Sequence, residues 1–211
     1  MKHLVIIGGG GMGRSLYCIA KNSKGYMVDF DIKGCLDDNL LSMEGFEGYP
    51  PMLDTISNYQ PAEDDVFVCS IGNAATKEII CSEFAKKGAT FISLIHKTAE
   101  IYETAVIGAG CVITEFACIG ADCKVGNHAL IQSYAAVGHD CLVGDFARID
   151  THVTCVGGTV IGKGATIHTG SVINHKVTVG ENATVGALSF VIRSVKPGTT
   201  VCGNPAKKLE F

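Results

Sequence analysis

The sequence predicts a small α/β domain followed by a parallel β-helix. Two observations carry that prediction: a six-residue aliphatic repeat fills the C-terminal half, and the chain starts as strand, glycine turn and helix. From Ile101 to Val191 every sixth residue is aliphatic, and fifteen of the sixteen are Ile or Val, Cys155 being the exception. A helix needs apolar residues about every 3.6 positions and an ordinary strand every 2. A strict period of six fits neither; it fits short strands joined by tight corners, one side chain pointing inward per side. Three sides of six make an 18-residue triangular turn, so the stretch holds about five turns. Small residues two positions before the inward ones, such as Ala117, Cys123, Ala129 and Ala135, let the wall close at its corners. Glycines just after the inward residue, such as Gly108, Gly120, Gly138 and Gly144, are expected to supply backbone angles that residues with a Cβ resist.

The N-terminal elements follow in order. Lys2–Ile7 reads as a strand, Gly8-Gly9-Gly10-Gly11-Met12-Gly13 as a turn, and Arg14–Lys21 as a helix. This is the opening of a doubly wound, Rossmann-like unit whose helix N-terminus offers N–H groups to an anion. Further strands are expected at Ile32–Leu36, Val66–Ser70 and Thr90–Ile95. A helix over Ala74–Lys87 is expected to pack Ile79, Ile80 and Phe84 on one face. Leu40–Pro61, with Pro50-Pro51, reads as loop with room for one short helix. The expected boundaries are an α/β domain over 1–97, the β-helix over 98–195, and a tail over 196–211 that leaves the six-residue register.

Composition excludes several classes. A formal charge of −4 gives a nucleic-acid partner no electrostatic support. No apolar run reaches membrane-spanning length, and Leu4–Ile7 is too short for a signal peptide, so a cytoplasmic protein without membrane attachment is expected. Of the ten cysteines, Cys111, Cys123 and Cys141 take the small-residue position and Cys155 an inward one. They read as small hydrophobes in a reducing compartment rather than as disulfides. No paired Cys-x-x-Cys occurs, and no metal is expected.

The glycines Gly8, Gly10 and Gly13 alone fit a dinucleotide site, with Asp29 or Asp31 as the later acid, but too little sheet follows for NAD. The six-residue repeat resembles the hexapeptide-repeat acyltransferases, whose β-helix is left-handed. The whole arrangement, with the glycine loop, Leu36-Asp37-Asp38, the Ile71-Gly72-Asn73 turn and the repeat domain, resembles the sialic-acid O-acyltransferase-like family. That family includes bacterial N-acetyltransferases acting on nucleotide-linked 4-amino-4,6-dideoxy sugars. The resemblance implies acetyl-CoA as co-substrate and a nucleotide sugar held by Gly8, Gly9, Gly10, Gly11, Asp37, Asp38 and Asn73. It also implies that Gly203-Asn204-Pro205-Ala206-Lys207 helps bind coenzyme A, chiefly through Gly203, Pro205 and Lys207. A backbone N–H at Gly157-Gly158 is implied to face the thioester carbonyl.

The sharpest chemical motif is His139-Asp140, two residues beyond inward Val137 and held on a rigid coil. Acyl transfer from a thioester to an amine needs a base, and neutral imidazole serves near pH 7. An adjacent carboxylate orients the ring and supports the imidazolium. The resemblance assigns His139 as general base with Asp140 beside it. His175 lies two turns on, roughly 10 Å away at the usual strand spacing, and His128, His152 and His168 fall in other columns, with His152 the reserve base. A second histidine that many relatives carry is replaced here by Arg148, a donor only, suited to a carboxylate or phosphate. No Ser or Cys nucleophile with a dedicated base is evident, so direct attack by the amine is expected. The alternatives are O-acetylation of sialic acid or another sugar, a non-catalytic binding relative, or an NAD-dependent oxidoreductase domain fused to a β-helix. A homotrimer is implied by the resemblance and by faces expected to expose Ala135, Ala136 and Phe146.

Overall fold

The computed structural model describes residues 1–210. The chain divides into two compact units, Met1–Lys97 and the portion from Thr98 onward.

The first unit contains β1 (Lys2–Ile7), α1 (Gly11–Lys21), β2 (Phe30–Leu36), β3 (Met52–Asp54), β4 (Asp65–Cys69), α2 (Ala74–Lys86), β5 (Thr90–Phe91) and β6 (Leu94–Ile95). Five of these strands form a sheet in the order β3-β2-β1-β4-β5, all parallel. Central strands of such a sheet are covered on both faces, which is why β1 and β4 read as unbroken apolar runs. Leu4, Val5, Ile6, Ile7, Phe67 and Val68 are all fully buried.

Three expectations are corrected in this unit. The loop-rich segment after Leu40 contains no helix among the described residues; it contributes the edge strand β3 immediately after Pro50-Pro51. The face of α2 turned inward carries Lys77, Cys81 and Phe84, spaced four and three apart, whereas Ile79 is 59% exposed on the far side. The strand expected over Thr90–Ile95 is interrupted at Ile92-Ser93 and becomes β5 and β6. Sequence reading also missed a buried charge. Asp65 accepts hydrogen bonds from Lys33 Nζ at 2.7 Å, Tyr59 Oη at 2.7 Å and the Ala62 N–H at 2.9 Å. Burial alone would raise its pKa, but these donors outweigh it and hold the carboxyl below its ordinary range.

The second unit is a parallel β-solenoid. Sixteen two-residue strands run from β7 (Glu100–Ile101) to β22 (Phe190–Val191), one every six residues. Each strand from β7 to β19 (Val172–Ile173) pairs in parallel with the strand eighteen residues on, as Ala136 does with Thr154 and Val137 with Cys155. β7 to β21 (Thr184–Val185) therefore complete five turns, and β22 begins a sixth. Inward residues from Ile113 to Val191 are buried. At Cys155 the inward side chain is small, and Val153 stands at the corner position where most coils have a small residue. The two substitutions exchange volume between neighbouring sites, which keeps the interior filled.

The role expected of the glycines is corrected. Gly138 and Gly144 have ordinary φ angles; what they avoid is the adjacent coil. A Cβ at Gly144 would fall 2.5 Å from Lys163 N, and one at Gly138 would fall 2.8 Å from Gly157 N. The left-handed corner lies two residues further on and is filled mainly by residues with side chains, including Asp122, Tyr134, Asp140 and His152, with φ near +60°. That conformation costs about 1 kcal/mol or more for an L-residue. It points the corner N–H at a carbonyl of the preceding coil, as from Asp140 N to Ala121 O at 2.9 Å. Eighteen-residue spacing also stacks the corner side chains: Phe116, Tyr134 and His152 form a ladder at 5.0 Å intervals, and His128 lies 4.8 Å from Phe146.

The tail is ordered. β23 (Thr200–Gly203) pairs in parallel with β21, and β24 (Ala206–Lys208) turns back against it. The offset from Thr184 to Thr200 is 16 residues rather than 18, which is how the tail leaves the register yet continues the wall. Among the described residues no helix is long and apolar enough to cross a membrane.

Candidate active site

His139 and Asp140 sit where the coil leaves β13 (Ala136–Val137) for its corner. The left-handed angle at Asp140, φ 59°, brings its carboxylate against the ring of its predecessor. Asp140 Oδ2 lies 2.6 Å from His139 Nδ1. That bond fixes the ring and leaves Nε2 as the nitrogen able to take a proton. Both side chains are largely exposed, at 65% and 64%.

The backbone around the pair is tied to the coils on both sides, the next of which carries β16 (Thr154–Cys155). The Gly158 N–H donates to His139 O at 2.8 Å, and the Cys123 thiol donates to Gly138 O at 2.8 Å. The Val156 carbonyl accepts from both the Cys141 thiol, at 3.5 Å, and the Thr159 hydroxyl. These bonds fix the peptide plane whose other end is the Gly157 N–H, a group with no acceptor among the described residues. A fixed, unpaired N–H is what an oxyanion donor requires. Sequence reasoning named Gly157 and Gly158 but missed Cys141 and Thr159, whose role depends on coil stacking.

The other histidines are placed differently. His152 is stacked on Tyr134 and His128 on Phe146. His168 Nδ1 lies 3.0 Å from Asp150 Oδ2. Arg148 Nε and Nη2 also reach Asp150, at 2.5 and 3.2 Å, and Asp150 is buried. Arg148 therefore commits two of its donors to an internal ion pair.

In the first unit Gly8, Asp37 and Asn73 follow β1, β2 and β4 at their carboxyl ends. The order β3-β2-β1-β4-β5 reverses direction between β1 and β4, the place where open α/β sheets bind ligands. Gly13 is needed for packing, since a Cβ there would fall 2.0 Å from Gly8 O. Gly10 caps α1 without a side-chain oxygen, which leaves the helix's first N–H groups open to an anion. The two acids serve the loops: Asp37 accepts from the N–H of Gly9 at 2.7 Å and of Asn39 at 2.9 Å, and Asp38 from the Ile56 N–H at 3.1 Å. Asn73 Oδ1 caps α2 through the Thr76 N–H at 3.0 Å. Gly9 is hemmed in by Ser42 and Met52, whereas Gly10 and Gly11 are open.

At the C-terminal end, Gly203 and Lys207 flank the β23–β24 turn that contains Pro205, and the Gly203 N–H donates to Ser189 Oγ at 3.0 Å. Alongside lies a pocket of about 350 Å³ whose wall includes Val191, Val195 and Val201 together with Arg193, Lys196 and Lys208. A lining that combines aliphatic side chains with three cations suits a ligand with both an aliphatic arm and phosphates. The sequence signal for it is the rise in cations from Arg193 onward, which the sequence reading passed over.

Comparison with known proteins agrees with this division. Residues 3–84 match the PglD N-terminal domain, and residues 158–193 match the bacterial transferase hexapeptide model of six repeats. The acetyltransferase domain of PglB from Neisseria gonorrhoeae FA1090 superposes with a TM-score of 0.90 at 29% identity, covering 99% of this chain and 100% of that one. The same domain in complex with acetyl coenzyme A gives 0.89, also at 29%, covering 99% of each chain. PerB from Caulobacter crescentus, in complex with CoA and GDP-perosamine, shares the fold at a TM-score of 0.89 and 22% identity, over 100% of this chain and 98% of that one. The UDP-N-acetylbacillosamine N-acetyltransferase of Bacillus subtilis (strain 168) is 30% identical over 117 residues, 54% of this chain; the match spans about half (51%) of that curated relative. Each unit thus has its own likeness, the first to the PglD N-terminal domain and the second to the hexapeptide repeats, and the whole chain is similar in fold to the PglB acetyltransferase domain.

Proposed function

We propose that this protein transfers the acetyl group of acetyl-CoA to the amine of a nucleotide-linked amino sugar. The observation that carries the reading is the His139–Asp140 pair, with Nδ1 held at 2.6 Å by the carboxylate and Nε2 facing Gly157. His139 Nε2 takes a proton from the acceptor amine as its nitrogen bonds to the thioester carbon. The negative charge that develops on the carbonyl oxygen meets the Gly157 N–H. As the C–S bond breaks, the imidazolium returns its proton to the departing thiolate, and Asp140 supports the ring's charge in between. No step requires a metal. The 29%-identical acetyltransferase domain crystallised with acetyl coenzyme A supports this co-substrate. The pocket at Arg193, Lys196 and Lys208, with Gly203, Pro205 and Lys207 beside it, supplies groups suited to coenzyme A. In the first unit, Gly10, Gly11 and Asn73 take the nucleotide's phosphates at the sheet's reversal point, while Asp37 and Asp38 hold the surrounding loops. Arg148 braces the coil through Asp150. The test is thiol release from acetyl-CoA in the presence of UDP-, GDP- and dTDP-linked amino sugars, against free sialic acid. Release that depends on a nucleotide amino sugar is expected; release with sialic acid alone rejects the acceptor assignment in favour of O-acetylation.

We also propose a homotrimer, on a corrected basis. Ala135 is fully buried in its corner and cannot form a face. Exposed apolar residues of this unit include Val106, Leu142 and Val156, with Phe116 and Tyr134 on the aromatic ladder. Light scattering at micromolar concentration is expected to give three times the chain mass, and a monodisperse monomer rejects the assembly.

A further inference from the structure

The residue eighteen positions after His139 is Gly157, and we propose that it is a positioning residue: its missing Cβ is the seat of the His139 ring. A Cβ on Gly157 would fall 2.5 Å from His139 Nε2, 2.6 Å from Cε1 and 2.9 Å from Cδ2, so the imidazole lies directly against this Cα. The nearest atoms such a Cβ would meet are those of the ring, not the neighbouring backbone that blocks a side chain at Gly138 or Gly144.

The fold itself does not call for glycine at this position. Gly157 stands two residues beyond the inward Cys155, and the equivalent residue of every other hexad carries a side chain. In the same column these are Glu103, Ala121, His139, His175 and Arg193. The φ of Gly157 is not in the left-handed region, so no backbone conformation reserves it for glycine. The one coil that lacks a side chain here is the coil on which the His139 ring rests. The seat receives the Nε2 side of the ring at the Gly157 Cα, while Asp140 grips the ring at Nδ1. Ring orientation is thus held from two sides, by a carboxylate and by a surface cut to fit.

This inference rests on His139 being the base, and the experiment separates the two claims. In Gly157→Ala the ring is expected to swing away, because a side chain yields more readily than backbone. Turnover should fall about 10²-fold, the scale of an ångström-sized misplacement, with KM for acetyl-CoA within about twofold, since the truncation of space touches the transition state more than binding. Histidine side-chain NMR should show the His139 resonances shifted and those of His175 in place. A thermal-unfolding cycle with His139→Ala, Gly157→Ala and the double variant supplies a readout free of activity. Any loss of stability caused by Gly157→Ala should vanish once the ring is gone. Unmoved His139 resonances together with wild-type turnover in Gly157→Ala overturn the seat. A stability loss that persists in the double variant, with the resonances unmoved, also overturns it. If the ring moves but His139→Ala keeps full turnover, the seat stands and the base assignment fails.

Discussion

His139→Ala is expected to lower turnover by about 10²–10⁴-fold, the usual worth of a positioned general base, or roughly 3–5 kcal/mol of barrier. The side chain is largely exposed and fills no core space, so the fold should survive with stability nearly unchanged. Coenzyme A affinity should hold, because the lost interaction belongs to proton transfer. Asp140→Asn should cost less: the imidazole stays, and only its orientation and charge support weaken. His152→Ala and His175→Ala should keep substantial activity, the first because its ring is stacked on Tyr134 at a different corner. Steady-state kinetics on the acceptor that supports thiol release decides the matter. Near-normal turnover in His139→Ala with loss in His152→Ala would reassign the base, and indifference to both would reject direct attack assisted by histidine.

The largest effect on stability is expected from the inward column. Ile131 is fully buried, paired in register with Ile113 below and Ile149 above. Ile131→Ala leaves a cavity between two stacked neighbours that the hydrogen-bonded wall cannot close, and should cost about 2–5 kcal/mol. In a solenoid each coil is stabilised by its neighbours, so the loss is shared by the coils on both sides. Urea unfolding of both proteins at the same concentration, which holds any contribution from assembly constant, measures it. A cost under about 1 kcal/mol would mean that the six-residue column is not the core of this unit.

The solenoid was legible because each hexad contributes one inward side chain, and that constraint repeats without interruption. What the repeat does not reveal is which backbone atom comes close to which. The glycines of the Gly138 and Gly144 type looked like sources of unusual φ, but they are gaps for the next coil. The true left-handed corners carry Asp, Tyr and His, residues that give little conformational signal in sequence. Ala135 was read as surface although the corner encloses it. In the first unit the alternation of strand and helix was clear. The inner face of α2 was misjudged because Lys77 occupies a buried position and Ile79 an exposed one, a reversal that propensity cannot anticipate. β3 is three residues long and sits behind two prolines, too brief to announce itself. At the site, His139-Asp140 stood out as a pair of complementary chemistry. The part played by Gly157 could have been found by adding one eighteen-residue coil to His139. Cys141 and Thr159, eighteen residues apart in one column, reach the same carbonyl from successive coils, a convergence visible only once the coils are stacked.

The central claim is that acetyl passes from a thioester to a sugar nitrogen under His139. The most direct measurement is the chemical identity of the product. The protein is incubated with acetyl-CoA and the nucleotide amino sugar that supports thiol release, and the product is isolated and treated with hydroxylamine. An acetylated nucleotide sugar that withstands the treatment as an amide, formed in step with free thiol and absent with His139→Ala, is the expected result. A product that hydroxylamine cleaves as an ester, or one formed equally well without His139, would contradict the account.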